Sequence, residues 1–211
     1  MLRRLLLFAV ALAACALAAN ATAATPVRPV DAPLLARSAT SQERLAQSIA
    51  RRLTGHQAVA RCSVVHEAPG VWGSTPFLND RPVGYFLLMP KACASLAAFR
   101  ADPATFDPTA CAGSCPERVY DALFALQTVA HESYHLLGFE NEATAECYGM
   151  QALWYVARRL GAPVEESQAL AALYWRDYPA RRTSPHPEYW SAECRDGGKL
   201  DLRPGTHAWP S

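Results

Sequence analysis

The chain has 211 residues, 51% of them hydrophobic, which suits one domain of ordinary size with a substantial core. Its formal charge of +1 is close to balance. That excludes a nucleic-acid binder working through a basic stripe, because counterion release from phosphates needs clustered positive charge.

The first residues read as a targeting signal. Met1-Leu2-Arg3-Arg4 is a short basic start, Leu5 to Ala19 is an uncharged apolar run, and small residues follow at Ala21-Thr22-Ala23-Ala24. This is the three-part pattern of a secretory signal peptide over residues 1–24. Its removal leaves 18 basic residues against 19 acidic ones, since Arg3 and Arg4 go with it. The run is short for a membrane span, which needs about 20 apolar residues, so the expectation is a mature chain with no transmembrane segment. Leu12-Ala13-Ala14-Cys15 also resembles a bacterial lipobox, which would place a lipid anchor on Cys15. Either route leads to a secreted, periplasmic or cell-envelope location.

Residues 25–40 are rich in Pro, Ala and Thr and read as a linker with no core of its own. The domain is expected over residues 41–211. Ser41-Gln42-Glu43 opens a helix in which Leu45, Ile49 and Leu53 recur at helical spacing until Gly55. Val59 to His66 is a candidate strand, and Val71 to Ser74 and Asn79 to Pro82 read as turns. Val83 to Met89 is the clearest strand; its edge is a candidate surface for an extended peptide. Ala92 to Arg100 forms a short helix, and residues 102–114 form a loop punctuated by Pro and Cys. Helical patterning returns from Pro116 to Gly138, then from an Asn141 N-cap to near Gly161, then from Val164 to Tyr178. The fold class is therefore α+β, helix-rich in its C-terminal part, with a small sheet.

Without Cys15, six cysteines remain: Cys62, Cys93, Cys111, Cys115, Cys147 and Cys194. An even number in an exported chain reads as disulfides, though sequence does not choose their pairing. Cys111 and Cys115 are spaced to close a small loop through Gly113. A thiolate metal site is the rival, weakened because no second pair has matching spacing.

The chemistry concentrates in His131-Glu132-Ser133-Tyr134-His135. Histidines four apart on a helix share a face, so both imidazoles reach one metal ion, and the adjacent glutamate can reach a water there. After Gly138 reverses the chain, Glu142 and Glu146 stand one turn apart on a second helix. One of them can be the third ligand, while the other accepts the remaining ring N–H of a ligand histidine.

His131-Glu132-x-x-His135 followed by Asn141-Glu142-x-x-x-Glu146 resembles the gluzincin pattern of thermolysin-type metallopeptidases. The resemblance implies a zincin-like fold and a Zn2+ cofactor held by His131, His135 and Glu142. It makes Glu132 the general base and sets Glu146 where the family has Asp, as support for the first histidine or as alternative ligand. The spacing between His135 and Glu142 is far shorter than in thermolysin. His135-Leu136-Leu137-Gly138 is also similar to the metzincin turn, yet Asn141 occupies the place of that family's third histidine. The compact form looks like small secreted bacterial zincin-like proteins.

The implied activity is hydrolysis of an amide bond in a peptide or protein substrate. Tyr134, His186 and Tyr189 are candidate donors to a developing oxyanion. His56, His66 and His207 have no supporting neighbours and default to surface or packing roles. The five tryptophans read as core or disulfide cover. A catalytically inert zinc-binding envelope protein acting through a partner is the alternative, and a hydrolase of cell-wall amides is a third reading. Retention of Glu132 favours the enzyme, because a purely structural metal site needs no base.

Overall fold

The computed structural model describes residues 26–63, 71–111, 114–206 and 208–210. The signal segment, Cys15, His66 and His207 lie outside the described residues. The described residues are α+β and mostly helical, with one three-stranded sheet and one two-stranded hairpin among them.

Helix α1 (Ala32–Ala36) and helix α2 (Ser41–Thr54) come first. Thr40 caps α2: its hydroxyl accepts from the Glu43 N–H while the Glu43 carboxylate accepts from the Thr40 N–H, the reciprocal capping box. Gly55 ends the helix at φ 75°, a left-handed conformation that glycine adopts without a Cβ clash.

The linker expectation for residues 25–40 needs correction. Pro29–Asp31 forms a 3-10 turn that leads into α1, and both are fastened to the domain. The buried Arg61 guanidinium donates to the carbonyls of Leu34 (3.0 Å), Leu35 (2.9 Å) and Arg37 (3.0 Å). Tyr85 donates to the Asp31 carboxylate at 2.6 Å. Composition concealed this, because the anchors belong to other segments.

The sheet comprises β1 (Val59–Cys62), β2 (Gly73–Ser74) and β5 (Tyr85–Leu88) in the order β1-β5-β2. β1 runs parallel to β5, and β2 runs antiparallel to it. Val83 to Met89 thus supplies the inner strand and not an edge. All of Tyr85–Leu88 is buried, and a continuous apolar run of this kind is what a strand covered on both faces requires. Val71 to Ser74, expected as a turn, supplies an outer strand in its place. Between them β3 (Phe77–Leu78) and β4 (Arg81–Pro82) form a hairpin whose turn residues Asn79 and Asp80 both have positive φ, at 52° and 58°. Asn and Asp tolerate that conformation better than other non-glycine residues.

Helix α3 (Pro90–Ala101) follows, then α4 (Glu117–Leu136), α5 (Glu142–Arg159) and α6 (Val164–Asp177). α4 is the central element, packed by α2, α3 and α5. Phe86, Phe99, Leu126, Met150 and Leu153, all essentially inaccessible, fill the space around it. The five tryptophans pack against this core from its margin. Cys62–Cys93, Cys111–Cys115 and Cys147–Cys194 pair as disulfides, which fits an oxidising compartment. No helix among the described residues is long and apolar enough to cross a membrane.

Glu43 joins the capping box to the sheet. Its fully buried carboxylate accepts from Thr40 N (2.7 Å), Cys62 N (2.8 Å) and both terminal nitrogens of Arg37. Burial pushes its pKa up, but the Arg37 bonds and the two backbone donors outweigh this and hold it at about 2 against an ordinary 4.5. A carboxyl depressed in the fold stabilises it above the unfolded value and ceases to do so as pH falls toward the folded one. Glu43→Gln should therefore cost about 2 kcal/mol or more at neutral pH. Its melting temperature should converge on that of the parent between pH 4.5 and about 2. A gap independent of pH would show that the charge of Glu43 contributes nothing.

Candidate metal centre

Three features of the local sequence set the geometry. α4 carries His131, Glu132 and His135 on adjacent turns. Gly138, at φ 95°, then reverses the chain, and its N–H bonds the His135 carbonyl at 2.8 Å. Asn141 caps α5, its side chain accepting from Thr144 N at 2.9 Å, so Glu142 begins the next helix directly opposite the histidines.

The two helices approach closely where this matters. A Cβ on Gly149 would lie 2.9 Å from both the Gln127 side-chain nitrogen and the His131 backbone nitrogen. Only glycine lets α5 come so near α4. The tight crossing brings the Glu142 Oε2 atom to 3.0 Å from His131 Nε2 and 3.3 Å from His135 Nε2. The two Nε2 atoms are 2.9 Å apart.

The proton positions on the rings follow from their outer partners. His131 Nδ1 lies 3.1 Å from Glu146 Oε2, and His135 Nδ1 lies 2.6 Å from the Phe139 carbonyl. Both partners only accept, so each Nδ1 carries hydrogen. In the neutral tautomer each Nε2 then presents a bare lone pair. Two such lone pairs and a carboxylate oxygen repel one another unless positive charge sits among them, either a proton shared between His131 and Glu142 or a metal cation. Zinc bonds of about 2.0–2.1 Å place tetrahedral ligands somewhat over 3 Å apart, so the donor set fits a divalent ion of that kind. His131, His135 and Glu142 form the one metal-capable cluster found among the described residues.

The charges agree with this. Burial opposes protonation of His131, yet its bonds to Glu142 and Glu146, with Glu132 nearby, hold its pKa up at about 10. Burial likewise raises Glu142 and Glu146, and the histidines, joined at Glu146 by Arg181, bring both down to about 2. The cradle attracts positive charge.

Glu146 touches His131 only on the far side of the ring. Its carboxylate is saturated: Oε2 accepts from Gln127 Nε2 (2.8 Å) and His131, and Oε1 accepts from the Tyr174 hydroxyl (2.6 Å) and Arg181 (3.1 Å). Of the two acids left open by the sequence, Glu142 faces both inner nitrogens and Glu146 orients one ring.

Glu132 is buried beside the cluster, and burial raises its pKa against the opposing pull of His131, His135 and a bond from Thr75. Thr75, just past β2, donates to its Oε2 at 2.8 Å. β2 crosses directly over this carboxylate. A Cβ on Gly73 would fall 2.6 Å from Thr128 Cγ2 and 2.7 Å from Glu132 Oε1, so the strand needs a glycine there. Phe77 meets the His135 ring edge-on at 5.7 Å.

The candidate oxyanion donors separate. Tyr189 lies with its ring 5.7 Å from that of His131 and lines the open cleft of about 500 Å3 in front of the cluster. Burial first, then the surrounding carboxylates, raise its pKa, so its hydroxyl keeps a proton to donate. His186 lines an adjoining cavity but is exposed and lies 3.0 Å from Glu188. Tyr134 is not at the cleft: it packs against Tyr148 and Phe139, with ring centroids 5.3 and 6.3 Å away. Helical phase explains this, since position 134 projects well away from the 131/135 face.

Thr75, Gln127, Tyr174 and Arg181 complete the site from outside the HExxH motif and the acid pair. Gln127 carried a signal, being one turn before His131 on the same face of α4. The others arrive from remote elements. No protein-family model, curated protein sequence or solved structure matches the chain.

Removing a ligand and removing its support should differ in size. Glu142→Ala should abolish stoichiometric zinc binding at neutral pH, whereas Glu146→Gln should weaken it by about 10–100-fold. Titration calorimetry with zinc on folded protein reads both. Undiminished affinity in Glu142→Ala would remove that residue from the ligand set.

Proposed function

We propose that this chain is an exported zinc hydrolase of the zincin type, acting on the amide bonds of peptides. The observation that carries the reading is the meeting of two inner imidazole nitrogens and a carboxylate oxygen next to a buried glutamate. A purely structural metal site has no use for Glu132 or for the open cleft beside it.

His131, His135 and Glu142 would hold a zinc ion, which would supply Lewis acidity toward a carbonyl and lower the pKa of water toward neutral. Thr75 fixes Glu132 by occupying Oε2, which leaves Oε1, under Gly73, to receive a proton from attacking water. Glu132 returns that proton to the leaving amine nitrogen. Burial keeps the carboxyl above its ordinary range, nearer the pH at which a base both accepts and releases protons. Tyr189, protonated and facing the cleft, donates to the oxygen that gains charge. Glu146, saturated by Gln127, Tyr174 and Arg181, holds His131 in the tautomer that the ion needs. Export is supported by the N-terminal basic-apolar-small pattern and by three disulfides.

The decisive pair of measurements is zinc content and hydrolysis of a mixed peptide library, read by mass spectrometry. Glu132→Gln should keep one zinc per chain and lose at least about a thousandfold in turnover. Full hydrolysis by that variant, or none by the zinc-loaded parent on any library member, would overturn the reading.

A further inference from the structure

A third cavity, of about 410 Å3, lies where the tail after Cys194 comes back against α5 and α6. It shares no lining residue with the two cavities at the metal cluster. Trp154, which lines it, stands twelve residues along α5 from Glu142, about 18 Å at 1.5 Å per residue. The volume falls within the range of small-molecule sites, about 300–1,000 Å3.

Its lining is divided between flat carbon and polar groups. Trp154 and Trp209 form part of the wall, and both are half-buried. Trp209 is braced edge-on against Trp175 at 5.2 Å, and its Nε1 is inaccessible, so it offers the cavity carbon alone. Arg203 stands beside them. Its guanidinium lies 5.8 Å from the Trp154 ring centre, and one Nη2 bond goes to the Ala208 carbonyl at 2.7 Å. A guanidinium carries several further N–H donors, and no carboxylate pairs with this one among the described residues. Exposed Gln168, on α6, adds an amide that both donates and accepts.

We propose that this cavity binds a sugar ring that carries a carboxylate, such as the uronic acid unit of an acidic glycan. The carboxylate takes the Arg203 fork, a match of two planar groups through paired hydrogen bonds. The C–H face of the pyranose lies on indole carbon, its hydrogens toward the negative face of the ring. Gln168 meets a hydroxyl at the rim. A plain aromatic acid such as benzoate would suit the indoles and the charge, but it brings no hydroxyl for the Gln168 amide. The divided lining favours the sugar. Neither the metal nor any hydrolysis beside it enters into this binding.

The five tryptophans each give an indole N–H signal in a proton–nitrogen correlation spectrum, and Trp154→Phe identifies the one that belongs to the cavity. The intact protein is titrated with D-glucuronate, D-glucose and benzoate. Glucuronate should shift the Trp154 signal and bind about tenfold more tightly than glucose, and benzoate should bind more weakly than glucuronate. Arg203→Gln should level glucuronate with glucose, whereas Gln168→Ala should weaken both sugars about threefold. Arg203 also holds the Ala208 carbonyl, so the first variant can displace the tail, which lost glucose binding would reveal. Arg203→Lys keeps the charge without the fork and should retain a smaller preference for glucuronate. A Trp154 signal unmoved by glucuronate, equal binding of the two sugars by the parent, tighter binding of benzoate, or a glucuronate preference unchanged in both Arg203 variants would overturn the proposal.

Discussion

The site depends on how closely two helices cross. α5 can lie against α4 only because position 149 has no side chain to meet Gln127 and the His131 backbone. From that contact follow the reach of Glu142 to both inner nitrogens, the reach of Glu146 to the outer nitrogen of His131, and the bond from Gln127 that steadies Glu146. A separation larger by even one methyl group would turn these four short polar contacts into gaps. Buried polar networks of this kind are worth having only when all members are satisfied, because a partly satisfied one costs more than an apolar core.

Around this crossing the protein builds a tightly specified electrostatic environment out of few charges. Three carboxylates and one guanidinium lie near two imidazoles, and each acid has a distinct task fixed by its partners. Glu146 is saturated by donors and therefore inert. Glu142, partly open to the cleft, keeps an oxygen facing the histidines. Glu132 has one oxygen held by Thr75 and is pushed upward by burial. Environment alone separates a ligand, a support and a base among chemically identical side chains.

The sequence made the local half of this legible. The HExxH spacing, the Gly138 stop and the Asn141 cap act over a few residues, where helical period and turn chemistry decide the outcome. What remained hidden comes from long-range packing. Thr75 reaches Glu132 from a strand-end segment that reads as a turn, Tyr174 and Arg181 come from the last helix and the tail, and Arg61 fastens a segment whose composition resembles a linker. The position of Val83 to Met89 within the sheet was open for the same reason. Its unbroken hydrophobicity is compatible with several neighbours, and strand order is decided by which segments fold back to cover it.

The Cys147–Cys194 crosslink has a consequence for how the groove holds its shape. Cys147 directly follows Glu146 on α5, and Cys194 lies five positions after Tyr189, which overhangs the metal cleft. The covalent bond spans a sequence separation of 47 residues and gives the overhanging tail the same anchor as the acids beneath it. The tyrosine at the cleft and the acids across from it are thus tied to one helix, by the crosslink and by the packing of Pro187–Tyr189 on α5, so a displacement of α5 would draw both the same way.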